Sequence, residues 1–220
     1  MKESFVQQLR FHCQGLAHVP RNGNRSRSDA NPYFKRDRRT REVFLKFGMH
    51  RLYLINALGF QVAWWACVAS VGQGMEIAAL VFCMALACAH LFYVEHPWQE
   101  VKLASGVLVM GIAIDTLLQY FSVIHFYGWS LGALSPFWLW ALWVMFAMTL
   151  NVSLAFLKVR PLLVSALVGL IFGPLSYYAG TKLGAASFEI SIIHVSVLAF
   201  TWMLALPAMV LMAQKIANTK

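Results

Sequence analysis

A chain of 220 residues that is 60% hydrophobic and 12% charged, with a formal net charge of +9, has far more apolar surface than a soluble domain of this size can bury. That balance excludes an ordinary soluble enzyme and points to a polytopic membrane protein. The apolar stretches are continuous and lack the alternating polarity of barrel strands, so the expected fold is all-α.

In chain order, residues 1–48 come first, with 11 basic and four acidic side chains. Their centre, RNGNRSRSDANPYFKRDRRTR, is polar and without apolar periodicity, which predicts a basic, disordered cytoplasmic tail. Such an arm can attach to anionic lipid headgroups or help to orient the first span; nucleic-acid contact is the less favoured reading. Met49 opens MHRLYLINALGFQ, a compact beginning for a membrane protein, so a start at Met49 in place of Met1 is an open alternative.

Six apolar stretches then follow, each near the roughly 20 residues needed to cross a bilayer core about 30 Å thick. They are Leu52–Val71, Ile77–Val94, Ala104–Ile124, Pro136–Leu157, Leu162–Tyr178 and Phe188–Val210. The short connections between them predict antiparallel neighbours in a compact up-and-down bundle of six transmembrane helices. Basic residues stay on the side from which a chain is inserted. With six spans, 17 of the 18 Lys and Arg fall on one side and only Lys182 on the other, which places both termini in the cytoplasm. Trp129, Phe137, Trp138 and Trp140 are expected in the outer aromatic belt, with Tyr53 and Trp98 in the inner one.

The common signatures of membrane enzymes are missing. The sequence has no HExxH, no GxSxG and no set of His-rich boxes. His90, Glu95 and His96 lie together in HLFYVEHPW, but a straight helix would point His90 and His96 to different sides, so an interfacial cluster is expected rather than a metal site. Cys67, Cys83 and Cys88 fall inside spans, where a thiol acts as a small hydrophobe, and no disulfide is expected. No catalytic residue, metal or cofactor is assigned.

The signal for function is polarity inside the spans. Asp115 is an acid in the run VLVMGIAIDTLLQYF, near the expected midplane, where an unpaired carboxylate costs several kcal/mol and must be protonated, paired or turned inward. Gln119 shares its helix face, and Gln61 and Asn56 in the first span, Asn151 in the fourth, Ser176 and Tyr177 in the fifth and His194 in the sixth are candidates to meet it. Polar residues in bundles also serve as interhelical glue, and that alternative stays open for the amides and hydroxyls. Ser165, Gly169 and Gly173 recur every four residues as a smooth packing stripe, and Pro174 next to them is expected to kink or break the helix.

NALGFQVAWW, the Asp115 span, WALWVMFAMTLNVSLAFL followed by RPLL, and GPLSYYAGTKLG together resemble a bacterial domain-of-unknown-function family of small multi-helix inner-membrane proteins. The resemblance runs from Met49 to the end and implies an inner-membrane location and a compact helical fold. It supplies no reaction or ligand. The functional expectation is therefore a carrier or binder of a small or amphiphilic molecule, with its polar site around Asp115. The alternatives are a non-catalytic scaffold or accessory subunit, and a lipid-modifying enzyme. Membrane lipids are the expected surroundings, and a homodimer or a membrane-protein partner is possible.

Overall fold

The computed structural model describes the backbone of residues 32–218 and the side chains of residues 51–218. Most of the expected basic arm lies outside the described residues, as does Lys220. The chain divides into two units, Met1–Gly48 and Met49–Lys220. Six helices account for most of the described residues: α1 (Pro32–Ser70), α2 (Glu76–Tyr93), α3 (Pro97–Tyr120), α4 (Phe137–Ala147), α5 (Leu162–Lys182) and α6 (Ile192–Ala217). The helix α1 begins at Pro32, within the basic segment read from sequence as unstructured.

Five of these helices are long and apolar enough to cross a membrane, Arg51–Ser70 being the apolar part of α1; α4 is the exception, with 11 residues. The expected helix from Pro136 to Leu157 is thus corrected to Phe137–Ala147, and the reason lies in the polar residues that follow. Thr149 Oγ1 donates to the Phe146 carbonyl at 2.6 Å. The backbone tightens from four-residue to three-residue bonds, Thr149 to Phe146 at 2.9 Å, Leu150 to Ala147 at 3.1 Å and Val152 to Thr149 at 3.1 Å. A short 3-10 helix, Ala155–Val159, completes the segment. From α1, Asn56 holds the unwound stretch: its Oδ1 accepts from Ser153 N at 3.2 Å and Oγ at 2.7 Å, and its Nδ2 donates to the Met148 carbonyl at 3.3 Å.

The other helix ends follow local chemistry. Gly72 and Gly74, with φ of +77° and +69°, turn the chain between α1 and α2. Proline is favoured in a first turn because its missing N–H has no intrahelical partner there, and Pro97 starts α3 well before the apolar run at Ala104. At the far end Ser122 adopts φ 56°, and Val123 N reaches back to the Leu118 carbonyl at 2.9 Å, closing the helix. Of the expected kink or break at Pro174 there is no break: α5 continues through it to Lys182.

Two strands of two residues, β1 (His125–Phe126) and β2 (Ala186–Ser187), pair antiparallel with His125 opposite Ser187. This ladder ties the α3–α4 connection to the α5–α6 connection. Beneath it, one core cluster joins α1, α2 and α4 through Ala63, Cys67, Cys83, Trp138 and Leu142. A second joins α3, α4 and α6 through Leu103, Val107, Trp143, Leu206 and Met209. Ile55, Val81, Met84, Val109, Leu163 and Phe172 remain exposed on the outer faces, as a bundle solvated by lipid requires.

The small-residue stripe of α5 is occupied by this chain's own α6. Ser165, Gly169 and Gly173 are buried; a methyl added at Gly169 would fall on the Trp202 carbonyl, and one at Gly173 on the Trp202 side chain. Replacing Gly169 by Val is therefore expected to push α6 away and destabilise the bundle by about 1–3 kcal/mol, the usual cost of overpacking. Thermal unfolding of the detergent-solubilised protein would measure it, and an unchanged midpoint would contradict this packing.

Candidate functional site

Two buried polar centres lie among the described residues, and Asp115 forms the first. It is completely buried. Its Oδ2 accepts from Trp143 Nε1 of α4 at 2.6 Å and its Oδ1 from the Tyr177 hydroxyl of α5 at 2.5 Å. Trp202 of α6 stacks on Trp143 with ring centroids 5.2 Å apart and planes 13° from parallel, and meets Tyr177 edge-on at 6.3 Å. Gly111, one turn before Asp115, is what lets the Trp143 ring lie against α3, since a Cβ there would strike the indole. Four helices thus converge on one carboxylate through aromatic side chains.

This centre differs from the expected one in its partners. Gln119 turns away, its Oε1 accepting from Phe126 N at 3.3 Å and so bracing the ladder. Gln61 is exposed on α1, Ser176 bonds its own helix at the Gly173 carbonyl, and His194 joins Ser191 at the start of α6. Of the residues named from sequence, the structure brings only Tyr177 to Asp115. Because α3 starts at Pro97, Asp115 stands about 27 Å from its beginning and about 8 Å from its end at 1.5 Å per residue, nearer the C-terminal end of the helix than its middle. A groove of 390 Å³ opens nearby between α3 and α6, lined by Ile114, Leu117, Leu118, Phe121, Val123, Val197 and Thr201, and Asp115 is not part of its wall.

The second centre surrounds Glu100, at the other end of α3. Glu100 is 7% exposed. Its Oε1 accepts from Asn151 Nδ2 at 2.8 Å, and Asn151 Oδ1 accepts from Lys158 Nζ at 2.7 Å. Gln214 of α6 donates to the Lys158 carbonyl at 2.6 Å. The other oxygen, Glu100 Oε2, lies 3.5 Å from His90 Nε2 of α2. Both atoms are buried and neither makes a hydrogen bond, so this is a loose contact rather than a closed pair. Asn151 belongs to the unwound stretch after α4 that Asn56 anchors, so Asn56 and Asn151 meet this centre and not Asp115.

The chain's kinship can be read beside this geometry. Residues 53–208, which include Asp115 and Glu100, match the family described as "Protein of unknown function (DUF2878)". The chain belongs to that family. No curated protein and no solved structure matches it.

Several residues of the DUF2878 chain that matter here were not read from its sequence. Glu100 looked like part of a connection, because an apolar window starts the helix at Ala104; Pro97 was the available signal that it begins earlier. Trp138, placed in the outer belt, is 3% exposed and donates from Nε1 to the Tyr127 carbonyl at 2.8 Å. Glu76, buried at the start of α2, accepts from Trp129 N at 2.9 Å and holds the outer loop. His90 pairs with Glu100, while Glu95 and His96 are exposed, and no metal-binding group of three appears among the described residues.

The Asp115 centre gives a graded test. In Asp115→Asn the amide oxygen can accept from Trp143 and the amide N–H can donate to the Tyr177 oxygen, so near-native stability is expected. In Asp115→Leu both donors lose their acceptor at about 1–3 kcal/mol each. Thermal unfolding in detergent should rank the leucine variant well below the asparagine one; equal losses would show that the hydrogen bonds are not what the carboxyl contributes.

Proposed function

We propose that this DUF2878 protein is a multi-pass carrier or binding protein for a small or amphiphilic molecule, and that its polar site lies around Glu100 rather than Asp115. The observation that carries this reading is Glu100 Oε2, buried 3.5 Å from His90 Nε2 with no hydrogen bond made by either atom, beside the unwound end of α4. Interrupted helices are a recurrent way to place polar groups and open backbone at a membrane site. A buried carboxylate oxygen without a donor favours a molecule with a cationic or hydrogen-bond-donating head.

In this reading all six helical segments cross the membrane. The 11 residues of α4 rise about 16 Å as α-helix, and the three-residue turns up to Val159 add about 2 Å per residue where regular, enough for a core about 30 Å thick. The basic residues then place both termini in the cytoplasm and Glu100 near the cytoplasmic face. The family resemblance favours the inner membrane of a bacterium. The scaffold alternative is weakened at one point, because the glycine stripe it would use is filled by Trp202.

Binding of lipophilic amines to the purified protein in mild detergent tests the proposal. Glu100→Gln keeps the side chain's shape and its contact to Asn151 but removes the charge, and is expected to weaken binding at least about tenfold, or about 1.4 kcal/mol. Asp115→Asn is expected to bind as the parent does. Equal affinity in Glu100→Gln, or no amine bound by the parent protein, would reject the site.

A further inference from the structure

The contact between α1 and α2 carries a pair of groups that neither polar centre uses. Ala63 and Cys67 on α1 and Ala79, Cys83 and Ala87 on α2 are buried in one core cluster. Small residues recurring every four positions, as on both helices here, are a pattern that allows close helix approach. Cys67 Sγ lies 3.4 Å from Cys83 Sγ. Cys67 is 0% and Cys83 3% exposed, and both are free thiols. Cys88, five residues further along α2, is exposed on a different side of the helix and is not part of the pair.

We infer that Cys67 and Cys83 form a redox-active dithiol that closes into a disulfide between α1 and α2. A disulfide needs its sulfurs about 2.05 Å apart, so the two must approach by a little over an ångström. The surroundings select the oxidant. Exchange with a soluble disulfide proceeds through a thiolate, which an apolar interior disfavours, and neither sulfur is open to water. A lipid-soluble two-electron acceptor of the quinone class can come up to the exposed outer faces of α1 and α2 at Val62, Trp65, Val81 and Met84, and reaches the sulfurs, closed to lipid as to water, when the two helices part locally. The two S–H bonds break and one S–S bond forms. The two hydrogens and their electrons pass to the quinone, which leaves as the hydroquinone. Closure would fasten α1, which supplies Asn56, to α2, which supplies His90.

The test uses the full chain, reduced and reconstituted in phosphatidylcholine vesicles, with decylubiquinone as the probe. After treatment the protein is denatured, alkylated with a maleimide and mapped by peptide mass. The expected result is that the Cys67 and Cys83 peptides are recovered joined, two hydrogens lighter than the reduced pair, while Cys13 and Cys88 alkylate in full. Cys67→Ser or Cys83→Ser should leave the remaining thiol fully alkylated, and Cys88→Ser should change nothing. Complete alkylation of all four cysteines after quinone treatment, or a bond that uses Cys13 or Cys88, would overturn the inference. The wild-type map decides this even where a serine variant fails to fold.

Discussion

Inside a bilayer a polar group that does not find its partner within the protein finds none, and this constraint governs most of what is unusual in the chain. Asp115 is the sharpest case. Its two oxygens are met by an indole and a phenol from two other helices, and the acceptors and donors match so well that the carboxyl fixes how α3, α4 and α5 sit together. The glycines serve the same end in reverse: Gly111 leaves room for the Trp143 donor against α3, and Gly169 and Gly173 admit Trp202, which stacks on that indole. The stripe and the acid, which look like separate features in the sequence, are two halves of one packing solution.

The same rule treats the two ends of α3 differently. Around Asp115 both carboxyl oxygens are satisfied and the neighbours are aromatic, with Trp202 Nε1 the one buried polar atom of that cluster left without a hydrogen bond, which suits a structural pin. Around Glu100 one oxygen is satisfied and the other is not, and the partners are long polar side chains next to a stretch that has left regular helix. Unused bonding capacity is costly in a membrane, so a protein retains it where something else is to be bonded. The division of labour between a closed centre and an open one is the basis for locating the site.

Much of the fold was legible before any coordinates. Continuous apolar runs announce helices because a backbone in lipid must bond to itself, and five of the six expected spans form long apolar helices, with ends shifted at several. The fourth ends early for a physical reason: Thr149, Asn151 and Ser153 are tolerable in an apolar average, yet Thr149 takes the Phe146 carbonyl and Asn56 of α1 takes the Met148 carbonyl and Ser153 N, backbone groups a longer helix would use. The acid was found, but most of its partners were not. Hydropathy places tryptophan at interfaces, and nothing in a single sequence says that Trp143 points across to α3. The meeting of Cys67 with Cys83 was missed likewise, because the pair exists only once two helices are set side by side.

The small ladder between β1 and β2 has a topological consequence. By joining the loop after α3 to the loop before α6, it closes α4 and α5 into a non-covalent ring of chain, with α3 and α6 as the stems. The hairpin of α1 and α2 stands outside that ring and is joined to it by side chains alone, Asn56 to Met148 and Ser153, Glu76 to Trp129 N, and the shared apolar core. Motion within the ring has to break the ladder or travel around it, whereas the hairpin shifts only by giving up those side-chain contacts. His90 and Asn56 ride on that hairpin, so the open centre is built across the one seam of the bundle that the ladder does not sew shut.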